Sequence, residues 1–597
     1  MKSFSFHRFF IATVLFLVAL CLIAGAQSLR AEYPAPVESD KQMVVSAQAL
    51  ASQVGVEILN RGGNAIDAAV ATAYALAVVH PCCGNLGGGG FMTLHLAETK
   101  ENIFINFREK APLAARPDMF LDADGNVDST LSRNSYLAVG VPGTVLGLDT
   151  ALETYGTLSR QDVMAPAIAL ARDGYVLTQA DADIFAYGAE AFATEPNVAE
   201  IFLPGGQPPQ AGDTLVQEKL AKTLSMIAED GPDAFYRGAI ADALVQAHQE
   251  NGGLFTAEDL DGYHVDITEP VRCDYRGFMI HAAPPPSSGG TTLCEILNII
   301  EAYPLSYLGF NSAQSLHYMA EAMRHAYVDR NNLLGDPDFI ENPLPTLLSK
   351  DYAAAIRREI SPYRAGDSSR LGPGTPPHEG DNTTHLSVVD SQGNAVSLTF
   401  TINSYFGSKR MAEDTGFFLN NEMDDFTAKP GAPNLFGLVQ GARNAIAPGK
   451  RPLSSMNPTI VTKDDEVFLV LGSPGGSRII TITLQGILNV IDHGMNISEA
   501  VNSPRVHHQW LPDAISHEPR AFTRDTAEIL VRMGHRLSER RPWGALEAIM
   551  IVPEDGIPAA DGPSAGLDDS TLGNYKKPGM IYGVNDSRRP AGAALAE

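Results

Sequence analysis

A layered α+β fold is what this 597-residue sequence predicts, and three observations carry the expectation. Ala-rich helical segments and extended, β-branched segments are interspersed without the strict strand–helix alternation of a parallel doubly wound sheet. A polar stretch, Ser361 to Asn382, runs straight into a strand–turn–strand pattern that opens at Thr383. A second pair of strand signals, Thr459–Val461 and Val467–Leu471, is followed by an apolar helix from Ile479 to Asp492.

The chain begins with a secretion signal. Lys2 and Arg8 precede an apolar run from Phe9 to Ala24, and Ala24-Gly25-Ala26 offers a small-x-small cleavage site. The run falls short of the ~20 residues a spanning helix needs, so residues 1–26 read as a cleaved segment, with an N-terminal membrane anchor as the alternative. Cleavage leaves 571 residues, and the loss of Lys2 and Arg8 takes the net charge from −27 to −29. So acidic a chain is a poor ligand for nucleic acid or anionic lipid.

Ser46 to Asn60 and Ala65 to Val79 read as helices divided by Arg61-Gly62-Gly63, the second ended by His80-Pro81. Phe91–Leu96 and Ile103–Phe107 read as paired strands. Val145–Tyr155, Leu215–Glu229 and Ala239–Glu250 read as helices, and the loop Pro284–Gly290 precedes another near Thr292–Glu301. Ser361–Asn382, dense in Ser, Gly, Pro and Asp, reads as a mobile linker. Four cysteines follow residue 26. Cys82-Cys83 reads as two small buried hydrophobes or a redox-active pair, and a Cys273–Cys294 disulfide is left open.

Thr383 carries the chemistry. If the chain is cut after Asn382, Thr383 acquires a free α-amino group beside its own hydroxyl. Such an amine titrates near pH 8 and can take the hydroxyl proton, so one residue is both nucleophile and base. The plain alternatives are ordinary β-propensity and an Asn-x-Thr glycosylation pattern. Downstream, Asn420–Asp425 gathers carboxylates suited to an ammonium group. Ser454 and Ser455 offer hydroxyls for a carboxylate, and Gly472–Gly476 offers backbone N–H groups for an oxyanion.

Other motifs are weaker. Gly84–Gly90 lacks a P-loop ending and precedes a strand, so close backbone packing accounts for it better than a phosphate. No His-Glu-x-x-His occurs and His507-His508 has no ligand spacing, so no metal is expected, and acyl transfer by Thr383 requires no organic cofactor either. Gly562-Pro-Ser564-Ala-Gly566 matches a nucleophile elbow without its strand or helix, and it anchors a runner-up reading as a Ser-His-Asp hydrolase.

In this order, Gly84–Met92, Asn106–Pro112, Pro284–Gly290, Thr383–Asp390, Asn420–Phe426, Arg451–Met456 and Gly472–Ser477 resemble the γ-glutamyltransferases (γ-glutamyltranspeptidases) of the N-terminal-nucleophile hydrolase superfamily. The resemblance covers nearly the whole chain after residue 26. It implies an αββα sandwich built jointly by two chains of one precursor, a large subunit 27–382 and a small catalytic subunit 383–597, cut autocatalytically between Asn382 and Thr383.

The resemblance further implies Thr383 as nucleophile and Thr401 as the hydroxyl bonded to it. Arg108, Ser454 and Ser455 would hold the donor's α-carboxylate and Asn403, Glu422 and Asp425 its α-ammonium. Gly475 and Gly476 would form the oxyanion hole. Residues 430–441 resemble a lid, with Phe436 where an aromatic hydroxyl is often found. The implied reaction passes the γ-glutamyl group of glutathione or a similar donor to water, an amino acid or a peptide; an acylase acting on glutaryl groups is the alternative. The implied location is secreted, periplasmic in a Gram-negative cell. The hairpin register, counted from a tip at Gln392-Gly393, sets Asp390 against Ala395 and Thr383 against Ile402, which leaves Thr401 on the opposite face.

Overall fold

The hairpin after Thr383 forms as antiparallel strands Thr384–Val389 and Ala395–Thr401, and it lies at the middle of a seven-stranded sheet. The structure is a computed structural model that describes residues 33–371, 383–554 and 577–596. Across this inner sheet the strands run Ala593–Leu595, Met43–Ser46, Thr384–Val389, Ala395–Thr401, Gly89–Leu96, Glu101–Phe107 and Asp266–Thr268. A second seven-stranded sheet runs Val37–Ser39, Ile581–Val584, Glu547–Ile551, Glu466–Gly472, Thr459–Lys463, Phe278–Ala282 and Val271–Tyr275. All neighbouring pairs in both sheets are antiparallel.

Alternation along the hairpin fixes the layers. Leu386, Val388, Val396, Leu398 and Phe400 point to a core shared with the Ala65–Val79 helix. Val389 and Ala395 point the other way, into a core between the sheets with Ile460, Val470 and Ile549. Hydroxyls join that interior: Ser397 Oγ donates to Leu471 O (3.1 Å), and Ser387 Oγ to Glu547 O (3.0 Å). The far face of the second sheet packs on helices Gly289–Ile300, Ala313–Leu333 and Ile479–Ile491. The result is the αββα sandwich that the family resemblance implied.

The expected register is off by one, and loop length is the reason. Asp390 N donates to Asn394 O (3.1 Å) and Val389 faces Ala395, so the turn is the three-residue loop 391–393, with Gly393 at φ 88°. Such loops close through a left-handed glycine. The Asp390 carboxylate holds the turn by accepting from Gln392 N (2.9 Å) and Asn394 N (3.0 Å). Thr384 then faces Phe400, and one step on Thr383 faces Thr401 on the face toward the second sheet. No bulge is needed.

The stretch read as a linker divides in two. Residues 361–371 are tied down: Ser361 O accepts from His317 Nε2 (2.7 Å), Ala365 N donates to Met533 O (2.7 Å), and Ser368 Oγ donates to Trp510 O (2.7 Å). Their polar sequence finds its partners far along the chain, which composition does not reveal. Residues 372–382, the signal 1–26, Asn382 and Ser564 lie outside the described residues. Cys273 and Cys294 are joined as a disulfide, with Cα atoms 5.8 Å apart. No helix among the described residues is long and apolar enough to cross a membrane.

Candidate active site

Thr383 is 5 % exposed and opens into a small cavity of about 20 Å³. Its hydroxyl accepts from Thr401 Oγ1 at 3.4 Å, and Thr401 Oγ1 accepts from Asn403 N at 2.8 Å. The pairing follows from the register, because residues directly opposite across a hairpin are side-chain neighbours. Gly88 supports this strand end by close approach: a methyl there would collide with Thr401 O.

The cavity gathers Arg108, Asn403, Glu422, Asp425, Phe436, Ser454, Ser455 and Gly476 with the two threonines. Gly475 stands behind Gly476 and is not among the lining residues. Both glycines have positive φ, 143° and 55°, and precede the Ile479–Ile491 helix. Their backbone is therefore at a helix N-terminus, where partial positive charge gathers.

Arg108 follows directly on the Glu101–Phe107 strand and is fully buried. Expected to face a donor carboxylate, it faces carboxylates of its own chain: Nη1 bonds Glu422, Nη2 bonds Asp425 (2.5 Å), and Glu109 is 3.4 Å away. Burial raises the Glu422, Asp425 and Glu109 carboxyls above the ordinary carboxylate range, and Arg108 opposes it. Asn403, at φ 72°, turns its side chain so that Nδ2 donates to Asn421 O (2.8 Å). Asn403 Oδ1 and Glu422 Oε2 are buried acceptors with no hydrogen-bond partner among the described residues. Orphaned acceptors in a cavity favour a ligand that donates.

On the other wall, Ser454 is tied to the loop Pro284–Gly290: its N donates to Pro286 O (2.9 Å), and its O accepts from Ser288 N (2.9 Å) and Ser288 Oγ (2.6 Å). Ser455 Oγ accepts from Arg330 Nη2 at 2.9 Å. Arg330 also holds Ser288 Oγ (3.0 Å) and Gln440 Oε1 (3.2 Å), and burial pulls its pKa down to about 10, so it stays charged at neutral pH. Arg330 and Glu109 were not singled out from the sequence. A legible signal existed for Arg330: it lies three residues after Tyr327 on the buried stripe Leu316, Met319, Met323, Tyr327 of the Ala313–Leu333 helix. A charge on an apolar stripe asks for a partner.

Phe436 and Leu438, from the segment 430–441, line the cavity. Phe436 is buried against Gly476, where a methyl would collide with its ring. The segment is fastened through its backbone, by Leu435 N to Asp424 Oδ2 (2.7 Å) and by Gln509 Nε2 to Phe436 O (3.4 Å).

A threonine opening a strand on the inner face of an αββα sandwich defines an N-terminal-nucleophile hydrolase fold, and solved structures agree. Cephalosporin acylase from Bacillus halodurans superposes with a TM-score of 0.79 at 27 % identity, covering 96 % of this chain and 98 % of that one. Helicobacter pylori gamma-glutamyltranspeptidase gives 0.54 at 44 % identity, covering 59 % and 99 %. The profile described as Gamma-glutamyltranspeptidase matches residues 51–570, and the chain belongs to that family. A glutathione hydrolase proenzyme from Pseudomonas sp. (strain A14) is 52 % identical over 596 residues, 100 % of both chains.

Proposed function

We propose that this protein is a γ-glutamyltransferase that cleaves the γ-glutamyl amide of glutathione and related donors through an ester on Thr383. The observation that supports it most is the pair Thr383–Thr401, 3.4 Å apart, in a cavity whose orphaned acceptors Asn403 Oδ1 and Glu422 Oε2 suit an α-ammonium. The chain cuts itself between Asn382 and Thr383, and large and small subunits 27–382 and 383–597 remain together. Signal removal and an extracytoplasmic, in Gram-negative cells periplasmic, location fit the Cys273–Cys294 disulfide.

The freed Thr383 amine takes the hydroxyl proton, and Thr383 Oγ1 attacks the γ-carbonyl. The carbonyl oxygen moves toward the Gly475 and Gly476 amides, each such donor contributing about 3–4 kcal/mol. The proton passes to the leaving amine, and water, an amino acid or a peptide then opens the ester. Asn403, Glu422 and Asp425 hold the α-ammonium; Arg108, Ser454 and Ser455 hold the α-carboxylate. The donor's zwitterionic end therefore replaces contacts that Arg108 now makes with Glu422 and Asp425. The lid 430–441 closes over it by the apolar contact of Phe436.

Thr383→Ala is the direct test. It should leave one uncut band on a denaturing gel and no turnover of γ-glutamyl-p-nitroanilide, with or without glycylglycine; retained turnover would overturn the reading. A glutaryl acylase is favoured by one observation, the 0.79 TM-score to cephalosporin acylase. Glutaryl-p-nitroanilide turned over faster than the γ-glutamyl substrate would establish it instead.

A further inference from the structure

Cys82 and Cys83 occupy the turn that ends the Ala65–Val79 helix. Cys83 N (3.1 Å) and Gly84 N (2.9 Å) both donate to His80 O, and each cysteine is 1 % exposed. Their sulfurs point the same way and lie 2.7 Å apart, with His80 Nε2 3.5 Å from Cys82 Sγ. Two occupants of such a cluster are distinguishable by distance. A thiophilic metal with bonds of about 2.3 Å to each sulfur at tetrahedral angles holds the two sulfurs roughly 3.8 Å apart. A covalent bond holds them at about 2.05 Å. The observed 2.7 Å is nearer the covalent distance than the metal-bridged one. The same chain already carries one oxidised pair, Cys273–Cys294.

We propose that Cys82 and Cys83 are a modification site that closes into a vicinal disulfide by exchange with an organic disulfide. One thiolate attacks R–S–S–R and expels RS⁻; the second attacks the mixed disulfide and expels another. Two protein thiols and one R–S–S–R thus become one protein disulfide and two RSH, the two protons leaving on the RSH. Burial places the exchange on the folding chain, when Cys273 and Cys294 also pair.

Two consequences follow from the position. Adjacent residues keep their Cα atoms about 3.8 Å apart across a trans peptide, below the about 4.4–6.8 Å that disulfides ordinarily span. The 82–83 bond is therefore the more readily reduced of the two. The turn also reaches the candidate site: Cys82 O accepts from Phe406 N (2.9 Å), in the segment whose left-handed Asn403 and Phe406 (φ 72° and 61°) present Asn403 to the cavity. Closing the pair stiffens that support.

The test uses the full chain, exported to the periplasm of a bacterial host, purified without reductant and with Cys273–Cys294 verified as oxidised. Denatured protein is alkylated with iodoacetamide, and the peptide spanning 82–83 is weighed. It should be unalkylated and two hydrogen masses lighter than the dithiol. Under graded dithiothreitol in denaturant it should open before Cys273–Cys294. Alkylation of both cysteines without reductant would overturn the proposal. So would one equivalent of bound zinc or copper per chain that is lost in Cys82→Ser.

Discussion

Three buried carboxylates crowd Arg108, two of them lining the cavity, and this sets the direction of the pH dependence. Burial raises Glu109, Glu422 and Asp425, so they gain protons at a pH above the ordinary carboxylate range of about 4. Only the ionised forms attract an α-ammonium. Donor binding should therefore weaken as pH falls, and begin to do so above the range in which an ordinary carboxylate takes up its proton. Loss of the Thr383 base acts on any acyl donor, so the readout is the ratio of kcat/KM for γ-glutamyl over glutaryl anilides. That ratio should fall on acidification; a flat ratio would detach these carboxylates from the ammonium. Arg330 is a positioning residue at the same scale. Because Ser455 Oγ accepts from it, the serine proton is left to be donated to the ligand. Arg330→Gln removes a charged hydrogen bond of about 1.5–3 kcal/mol, roughly a ten- to hundredfold loss in kcat/KM, carried mainly by KM. Lys restores charge without the fork that spans Ser288 and Ser455, so its rescue should be partial. An unchanged KM in Arg330→Gln, with normal processing on a gel, would deny it that role.

At the scale of elements, the 391–393 loop decides whether the two threonines meet. Deleting Val389 while the three-residue tip is kept sets Val388 against Ala395 and moves the first strand by a residue, which turns its side chains to the wrong sheet face. The deletion should yield uncut or insoluble protein. Gly393→Ala only forces a side chain into φ 88°, costing about 1–2 kcal/mol, and should still process with a lowered melting temperature. Normal processing by the deletion would show that the register is not set there. This loop also marks where the sequence stops being legible. Periodicity reads some elements well, with Ala65–Val79 and Ala239–Glu250 running over the expected spans, but it does not give Arg160–Asp173, Gln179–Phe192 or the long helix Ala313–Leu333. The tip's odd length does not appear in periodicity, because Asp-Ser-Gln-Gly-Asn suits turns of two or three residues equally. Chemistry-bearing clusters such as Asn420–Asp425 stand out as motifs. Their mutual pairing with Arg108, more than three hundred residues away, does not. The short strands Glu547–Ile551 and Ile581–Val584 were passed over, since they are buried runs without alternation.

Across the whole molecule, neither side of the Asn382–Thr383 bond owns a sheet. In the inner sheet Thr384–Val389 is hydrogen-bonded to Met43–Ser46, and Ala395–Thr401 to Gly89–Leu96. In the second, Thr459–Lys463 is hydrogen-bonded to Phe278–Ala282, and Val37–Ser39 to Ile581–Val584. The core around Ala65–Val79 likewise takes Leu386, Val388 and Phe400 from beyond the cut. Separating the fragments would strip strands from both sheets and expose edges and apolar cores at once, a cost of the order of unfolding rather than of dissociating two surfaces. The cut protein should therefore migrate as a single 1:1 species on size exclusion and in native mass spectrometry, at any dilution that leaves it folded. In guanidinium, far-UV circular dichroism and fragment separation should change together, at one midpoint. Fragments that part under conditions preserving their secondary structure would mean that the two chains hold separate cores, against the strand order seen here.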